Sequence, residues 1–164
     1  MFRFLLVALV FGLWVTPAYA QYWQNADLTA MTGGPRAMYF SSMASAPAPL
    51  WNAMRTHYLG YDRHVHELVL SGGRWQEADL TAMTGGPRAY PGGSIAIAYD
   101  PPRATMRTHY VDENKHVREL FLSGGQWREA DLTALAGGHL AAGPLDSAFD
   151  PRWSTPRTHY ICTS

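Results

Sequence analysis

Hydrophobic positions fall into two regimes along this chain. Residues 4–15 form one apolar run of 12 residues, interrupted only by Gly12, behind a short basic start at Arg3. After residue 20 the apolar residues come instead in short stretches, each closed by glycine, proline or acidic residues. No later segment keeps a 3.6-residue apolar period, so strands are expected rather than helices. One set falls at 94–99, 107–111, 116–122 and 126–133, with turn signals at Pro101-Pro102, Asp112-Glu113-Asn114, Ser123-Gly124-Gly125 and Gly137-Gly138.

This set is one copy of a repeat. Ala-Asp-Leu-Thr-Ala starts at Ala26, Ala78 and Ala130, in steps of 52 residues. Arg-Thr-His-Tyr starts at Arg55, Arg107 and Arg157. His-Val-x-Glu-Leu starts at His64 and His116, each followed by Leu-Ser-Gly-Gly-x-Trp ending at Trp75 or Trp127. Four short strands in about 50 residues are the composition of one β-propeller blade. The fold class expected is therefore all-β, with four-stranded antiparallel blades and an incomplete ring in one chain. Alanine and serine at Ala44, Ser45, Ala46, Ala96, Ala98, Ser147 and Ala148 suit an innermost strand where blades crowd together.

The opening run changes the picture of where the fold begins. It is short for a membrane span, which takes about 20 apolar residues. It ends in Ala18-Tyr19-Ala20, an A-x-A cleavage pattern. Residues 1–20 thus read as a secretory signal peptide, implying a secreted chain with no membrane insertion after cleavage. Residues 21–164 then hold about 2.5 to 3 blades: a lone fourth strand at 22–29, two whole units, and a first and second strand at 146–161. Such an array leaves open edges. Two expectations follow: copies assemble into a ring as a homo-oligomer, or the chain is truncated.

Charge removes one class of partner. The net charge is zero and the arginines are scattered, with no basic stripe for a phosphate backbone, so no nucleic-acid partner is expected. The lone Cys162 cannot form an internal disulfide.

The candidate chemistry lies in the hairpins. With turns centred on Tyr61 and Glu113, Arg55 stands opposite Glu67 and Arg107 opposite Glu119, each pair on one sheet face. Arginine only donates and ionised glutamate only accepts, so together they satisfy both halves of neighbouring sugar hydroxyls. Trp75 and Trp127, with Trp23 as first copy, would cover the apolar face of a sugar ring. The alternative is a cross-strand ion pair that merely holds the hairpin, with the tryptophans packed between blades.

The order Arg-x-x-Tyr, turn, hydrophobic-x-Glu, Gly-x-Trp resembles the repeat of the fucose-binding lectins of the six-bladed propeller family. The resemblance covers most of residues 21–164. It implies sites between adjacent blades, with arginine and glutamate gripping hydroxyls and an aromatic residue stacking on the sugar. Arg55 with Glu67 would form one site and Arg107 with Glu119 another, while Arg157 would start a third. It also implies that chains with few blades complete a ring by association. Leu70 and Leu122 stand where many members carry a second aromatic, and the Asp-Leu-Thr wording is closer to uncharacterised bacterial relatives. Carbohydrate is thus a firmer expectation than fucose.

Other constellations carry less. His64 and His66 share a strand face and H-x-H can bind zinc, but Arg118 replaces the second histidine in the next unit and no cysteine joins them. No metal site and no cofactor is expected on sequence alone. His57, His109 and His159 read as packing or hydrogen-bonding elements. Asp27, Asp79 and Asp131 recur in every unit, whereas a catalytic acid is unique to its site, so they read as turn caps. No enzyme is expected. The functional expectation is a secreted lectin whose partners are glycans or glycoconjugates. The alternative is a protein–protein interaction scaffold with structural Arg–Glu pairs.

Overall fold

The computed structural model describes residues 26–162. The leader at 1–20, Trp23 and the start of the strand expected at 22–29 lie outside the described residues. Among these residues no helix is long and apolar enough to cross a membrane.

The first unit holds β1 (Met43–Ala48), β2 (Ala53–Leu59), β3 (Val65–Ser71) and β4 (Arg74–Asp79) in one antiparallel sheet of that order. The second repeats it with β5 (Ile95–Asp100), β6 (Thr105–Val111), β7 (Val117–Ser123) and β8 (Gln126–Asp131). A two-stranded sheet of β9 (Ala141–Asp150) and β10 (Thr155–Cys162) follows. The described residues are all-β apart from three short α-helices and two 3-10 turns.

The sheets stack face against face, and the apolar core lies in the seams. Leu59, Val65 and Leu80 of the first unit pack with Ile95, Tyr110 and Leu120 of the second. Ala96, Val111 and Val117 pack with Ala141 and Leu145 in the next seam. β1 alternates exposed and buried residues toward its end, as a sheet covered on one face should, whereas Ile95 to Ala98 of β5 are all buried because its sheet is covered on both. The small-residue strands β1, β5 and β9 are the ones that meet from sheet to sheet, as their alanines imply.

Asp-Leu-Thr departs from expectation. The strands expected at 126–133 and 22–29 do not run through it. Instead Leu28–Thr32, Leu80–Thr84 and Leu132–Ala136 are helices α1, α2 and α3. Each is five residues long, too short to show an apolar period. Their signals are the caps. Asp27, Asp79 and Asp131 each accept from the amide three residues on, and Gly33, Gly85 and Gly137 end each helix with positive φ. The aspartates are caps, as their repetition implied. The threonines that follow bond elsewhere. Thr81 Oγ1 accepts from Val65 N at 2.9 Å and Thr133 Oγ1 from Val117 N at 2.8 Å. Thr133→Val keeps the shape and leaves a buried amide unpaired. A cost of about 1–3 kcal/mol is expected, read as a lower urea midpoint.

α2 packs against β3 of its own unit and β8 of the next, while α1 packs against β4. A helix thus covers the outer strand of each four-stranded sheet, which blunts an edge open to pairing. The tyrosine of each Arg-Thr-His-Tyr block secures the linker after the helix. Tyr58 OH donates to Pro35 O, Tyr110 OH to Pro87 O and Tyr160 OH to His139 O, at 3.0, 2.8 and 2.9 Å.

Candidate functional site

The hairpin register differs from expectation by two residues. Arg55 stands opposite Val69 and Arg107 opposite Phe121, while Glu67 faces His57 and Glu119 faces His109. The turn is centred one residue later than expected. Gly60 N bonds to His64 O with Arg63 at φ 67°, and Asp112 N bonds to His116 O with Lys115 at φ 66°. A three-residue hairpin loop ending in a left-handed residue is set by local backbone geometry, and Arg63 and Lys115 carry no glycine signal for it. A shift of two preserves the sheet face, so each arginine still reaches its glutamate diagonally.

Arg55 Nη1 donates to Glu67 Oε2. Arg107 Nη1 donates to both Glu119 oxygens at 2.8 and 2.9 Å. The histidines complete each group and carry it across the seam. His57 Nε2 lies 3.1 Å from Glu67 Oε2, and its Nδ1 lies 2.6 Å from Thr108 Oγ1 of the second unit. His109 Nε2 lies 3.2 Å from Glu119 Oε1, and its Nδ1 lies 2.8 Å from Ser147 Oγ on β9. Both rings are buried. The sequence marks these histidines as packing or hydrogen-bonding elements but does not show that they bridge units.

Tryptophan placement separates Trp127 from Trp75. Trp127 of β8 packs on both apolar clusters of the first seam and sits edge-on to His57, with ring centres 5.8 Å apart. It therefore stands beside the Arg55–Glu67 group of the preceding unit. Trp75, half-buried opposite Leu70, lines neither of the clefts that Arg107 borders. Two further aromatics escape the sequence reading. The Arg55 guanidinium lies 5.0 Å from the Trp51 ring centre, and that of Arg157 lies 5.4 Å from Trp153. Their signal is a tryptophan four residues before each arginine, with Arg103 at the second copy.

The arginines are not equivalent. Arg107 Nε donates to Asp100 Oδ2 at 2.9 Å, and Arg157 Nε pairs with Asp150 Oδ2 at 3.0 Å. Ala48 stands where those aspartates stand, and Arg55 Nε is buried without a partner among the described residues. Arg157 pairs with Asp150 and Trp153 but with no glutamate among the described residues.

Arg107 borders two clefts. One, of about 500 Å³, lies in the second seam between Arg107, His109 and Glu119 and the β10 residues Thr155, Pro156, Thr158 and Tyr160. The other, of about 440 Å³, has Trp51, Arg103 and Phe121 around Arg107, closed by the Gly124-Gly125 turn.

Burial alone would raise the glutamates, but bonds and charges from His57 and Arg55 hold Glu67 below its ordinary value of 4.5, and His109 and Arg107 do the same for Glu119. A carboxylate depressed in the folded state stabilises the fold above its unfolded value, and that contribution is lost as pH falls through the folded value. Thermal midpoints are therefore expected to decline below about pH 4.5. Glu67→Gln is expected to show a shallower acid decline than the unsubstituted chain.

The chain is similar in structure to AofleA from Arthrobotrys oligospora. The TM-score is 0.54 at 16% identity, over 76% of this chain and 35% of that one. A variant of AofleA with three arginines replaced by alanine gives 0.52 at 14% identity, over 74% and 36%. This chain thus spans about a third of the length of the structures it matches. The likeness is one of fold. The altered arginines of AofleA recur at a step one residue longer than that from Arg55 to Arg107. No protein-family model and no curated protein matches the chain.

Proposed function

We propose that this chain is an exported, non-catalytic carbohydrate-binding protein whose units are blades of a propeller ring completed by further copies. One observation carries the reading: a guanidinium–carboxylate pair lies on one sheet face in both whole units, and in the first seam the neighbouring unit delivers Trp127 beside it. Paired donor and acceptor with a flat apolar wall suit a ring of hydroxyls with C–H faces. The fold likeness to AofleA and the similar recurrence of its altered arginines support it. Fucose is the first sugar to test, because the repeat order resembles that of fucose-binding lectins. The signal-like residues 1–20 support secretion. Absence of catalysis is supported by the repetition of every carboxylate group in the site.

The experiment is a glycan array with the folded chain and its Glu67→Gln/Glu119→Gln variant. Binding of a defined glycan set that the variant loses, with unchanged circular dichroism, is the expected result. No glycan bound above background by the folded chain removes the proposal.

A specific observation favours a second reading for the second unit. Arg107 is engaged by two carboxylates and Asp100 also holds Arg103, so this group resembles a structural clamp within an interaction scaffold. If Arg107→Lys leaves glycan binding intact and only lowers stability, the second group is structural and the first seam is the binding site.

A further inference from the structure

The two units differ most sharply on the opposite sheet face, at the residue just before each glutamate on β3 and β7. In the second unit Arg118 is surrounded by three carboxylates: Nε is 2.7 Å from Asp112 Oδ2, Nη1 is 3.0 Å from Glu129 Oε1, and Nη2 is 3.1 Å from Asp131 Oδ2. A permanent cation therefore sits among these carboxylates. In the first unit His66 takes the place of Arg118, with Glu77 and Asp79 in the places of Glu129 and Asp131.

The third carboxylate has moved along the chain. Gly60 replaces Asp112, and Asp62 replaces Asn114. Asp62 nevertheless reaches the imidazole that stands in for the guanidinium. A Cβ at Gly60 would lie 2.4 Å from Asp62 Oδ1 and 2.9 Å from His66 Nε2, so the glycine is what lets the two approach. The first unit thus rebuilds a three-carboxylate cage from a different position, without the guanidinium.

The ring of His66 is held in a way that a metal ligand needs. His66 is buried, and its Nδ1 lies 2.6 Å from Glu77 Oε1. Its Nε2 lies 3.1 Å from both oxygens of Asp62. A neutral imidazole carries one proton. With that proton given to Glu77, the Nε2 lone pair points at an anionic carboxylate, which is repulsive until a cation lies between them. A carboxylate behind the far ring nitrogen is the usual support of a ligating histidine. One ligand atom from each of Asp62, His66 and Asp79 falls within 4.8 Å of the others. Tetrahedral zinc needs ligand atoms about 3.4 Å apart, a gap that small side-chain rotations close. His64, whose Nδ1 lies 2.7 Å from Asp79 Oδ2, orients that carboxylate. Three protein ligands leave a fourth position for water.

We propose that Asp62, His66 and Asp79 bind one divalent transition-metal ion of the zinc class, which does in the first unit what the Arg118 guanidinium does in the second. Its nitrogen and oxygen donors exclude thiolate-selective ions and favour zinc over calcium or magnesium, which take oxygen alone.

Calorimetric titration of ZnCl₂ into the untagged, metal-stripped chain tests this. One equivalent per chain is expected, with a rise in thermal midpoint on loading. Co²⁺ in its place is expected to give the visible absorption of a tetrahedral site. His66→Arg, which copies the neighbouring unit and is expected to fold, should lose the equivalent and the cobalt spectrum. Asp62→Asn, at an exposed turn position, should weaken binding at least tenfold. Absence of a zinc equivalent in the unsubstituted chain, which would leave a proton alone at His66, overturns the proposal. So does retention of that equivalent by both variants. Neither result bears on sugar binding.

Discussion

Arg107→Ala is expected to destabilise the chain by about 3–5 kcal/mol, the usual cost of removing one partner from a buried charge group. The side chain is 17% exposed, Asp100 0% and Glu119 10%, so the carboxylates cannot recover their hydration without opening the sheet. Arg107 is also held in its charged form: burial opposes the charge, but bonds from Glu119 and Asp100 outweigh that. Arg55→Ala should cost less, because it takes a partner from one carboxylate instead of two. Urea unfolding of the two variants side by side gives the comparison, and equal midpoints would show that Asp100 contributes nothing through Arg107. Adding Asp100→Ala to Arg107→Ala should return part of the loss, since it removes a buried carboxylate whose remaining partner, Arg103, is 54% exposed. These costs also make arginine-to-alanine variants poor probes of sugar binding, which is why glutamine at Glu67 and Glu119 is the better pair for the array.

Trp127→Ala should rank next. The indole touches both apolar clusters of the first seam and covers His57. Truncating a packed tryptophan costs about 3–5 kcal/mol, at the lower end where it is only partly buried. The same change at Trp75 should cost markedly less, because that ring joins no core cluster among the described residues. Glycan binding at the first seam should fall with Trp127, which stands beside the Arg55–Glu67 group. Comparable losses at both positions would mean that the seam does not distinguish them. The contrast matters because the two tryptophans occupy identical places in the repeat.

That identity explains why part of the site is legible in the sequence and part is not. Arg55 and Glu67 recur twelve residues apart as Arg107 and Glu119, and residues an even number of positions apart through a hairpin share a face unless the turn shifts by an odd step. The shared face therefore survives a register error of two. The partner of each pair does not follow from spacing. Glu67 bonds to Arg55 and His57, and the indole covering that histidine, Trp127, comes from a chain position 60 residues beyond Glu67. His57 and His109 read as packing or hydrogen-bonding elements in the sequence, and only stacking of the sheets puts Thr108 and Ser147 at their far nitrogens.

Helices α1 to α3 show the opposite limit. Their caps are visible as Asp and Gly at fixed spacing, yet five residues cannot display a helical period, so the spacing suggests turns at the ends of strands. The difference between His66 and Arg118 is visible as one substitution. Its meaning is not, because the carboxylates that surround each arrive from β4 or β8 and from different turn positions.

The amino-acid order by itself determined the repeat, the strands of each unit up to the Asp-Leu-Thr segment, the small-residue inner strands and the face shared by each arginine and glutamate, because all of these rest on local periodicity and turn chemistry. Tertiary structure alone decided which unit's tryptophan stands beside which histidine, and which hydroxyl meets the far nitrogen of each of them. Those depend on contacts between segments 38 to 51 residues apart in the chain, and further for the tryptophan, which no local pattern encodes.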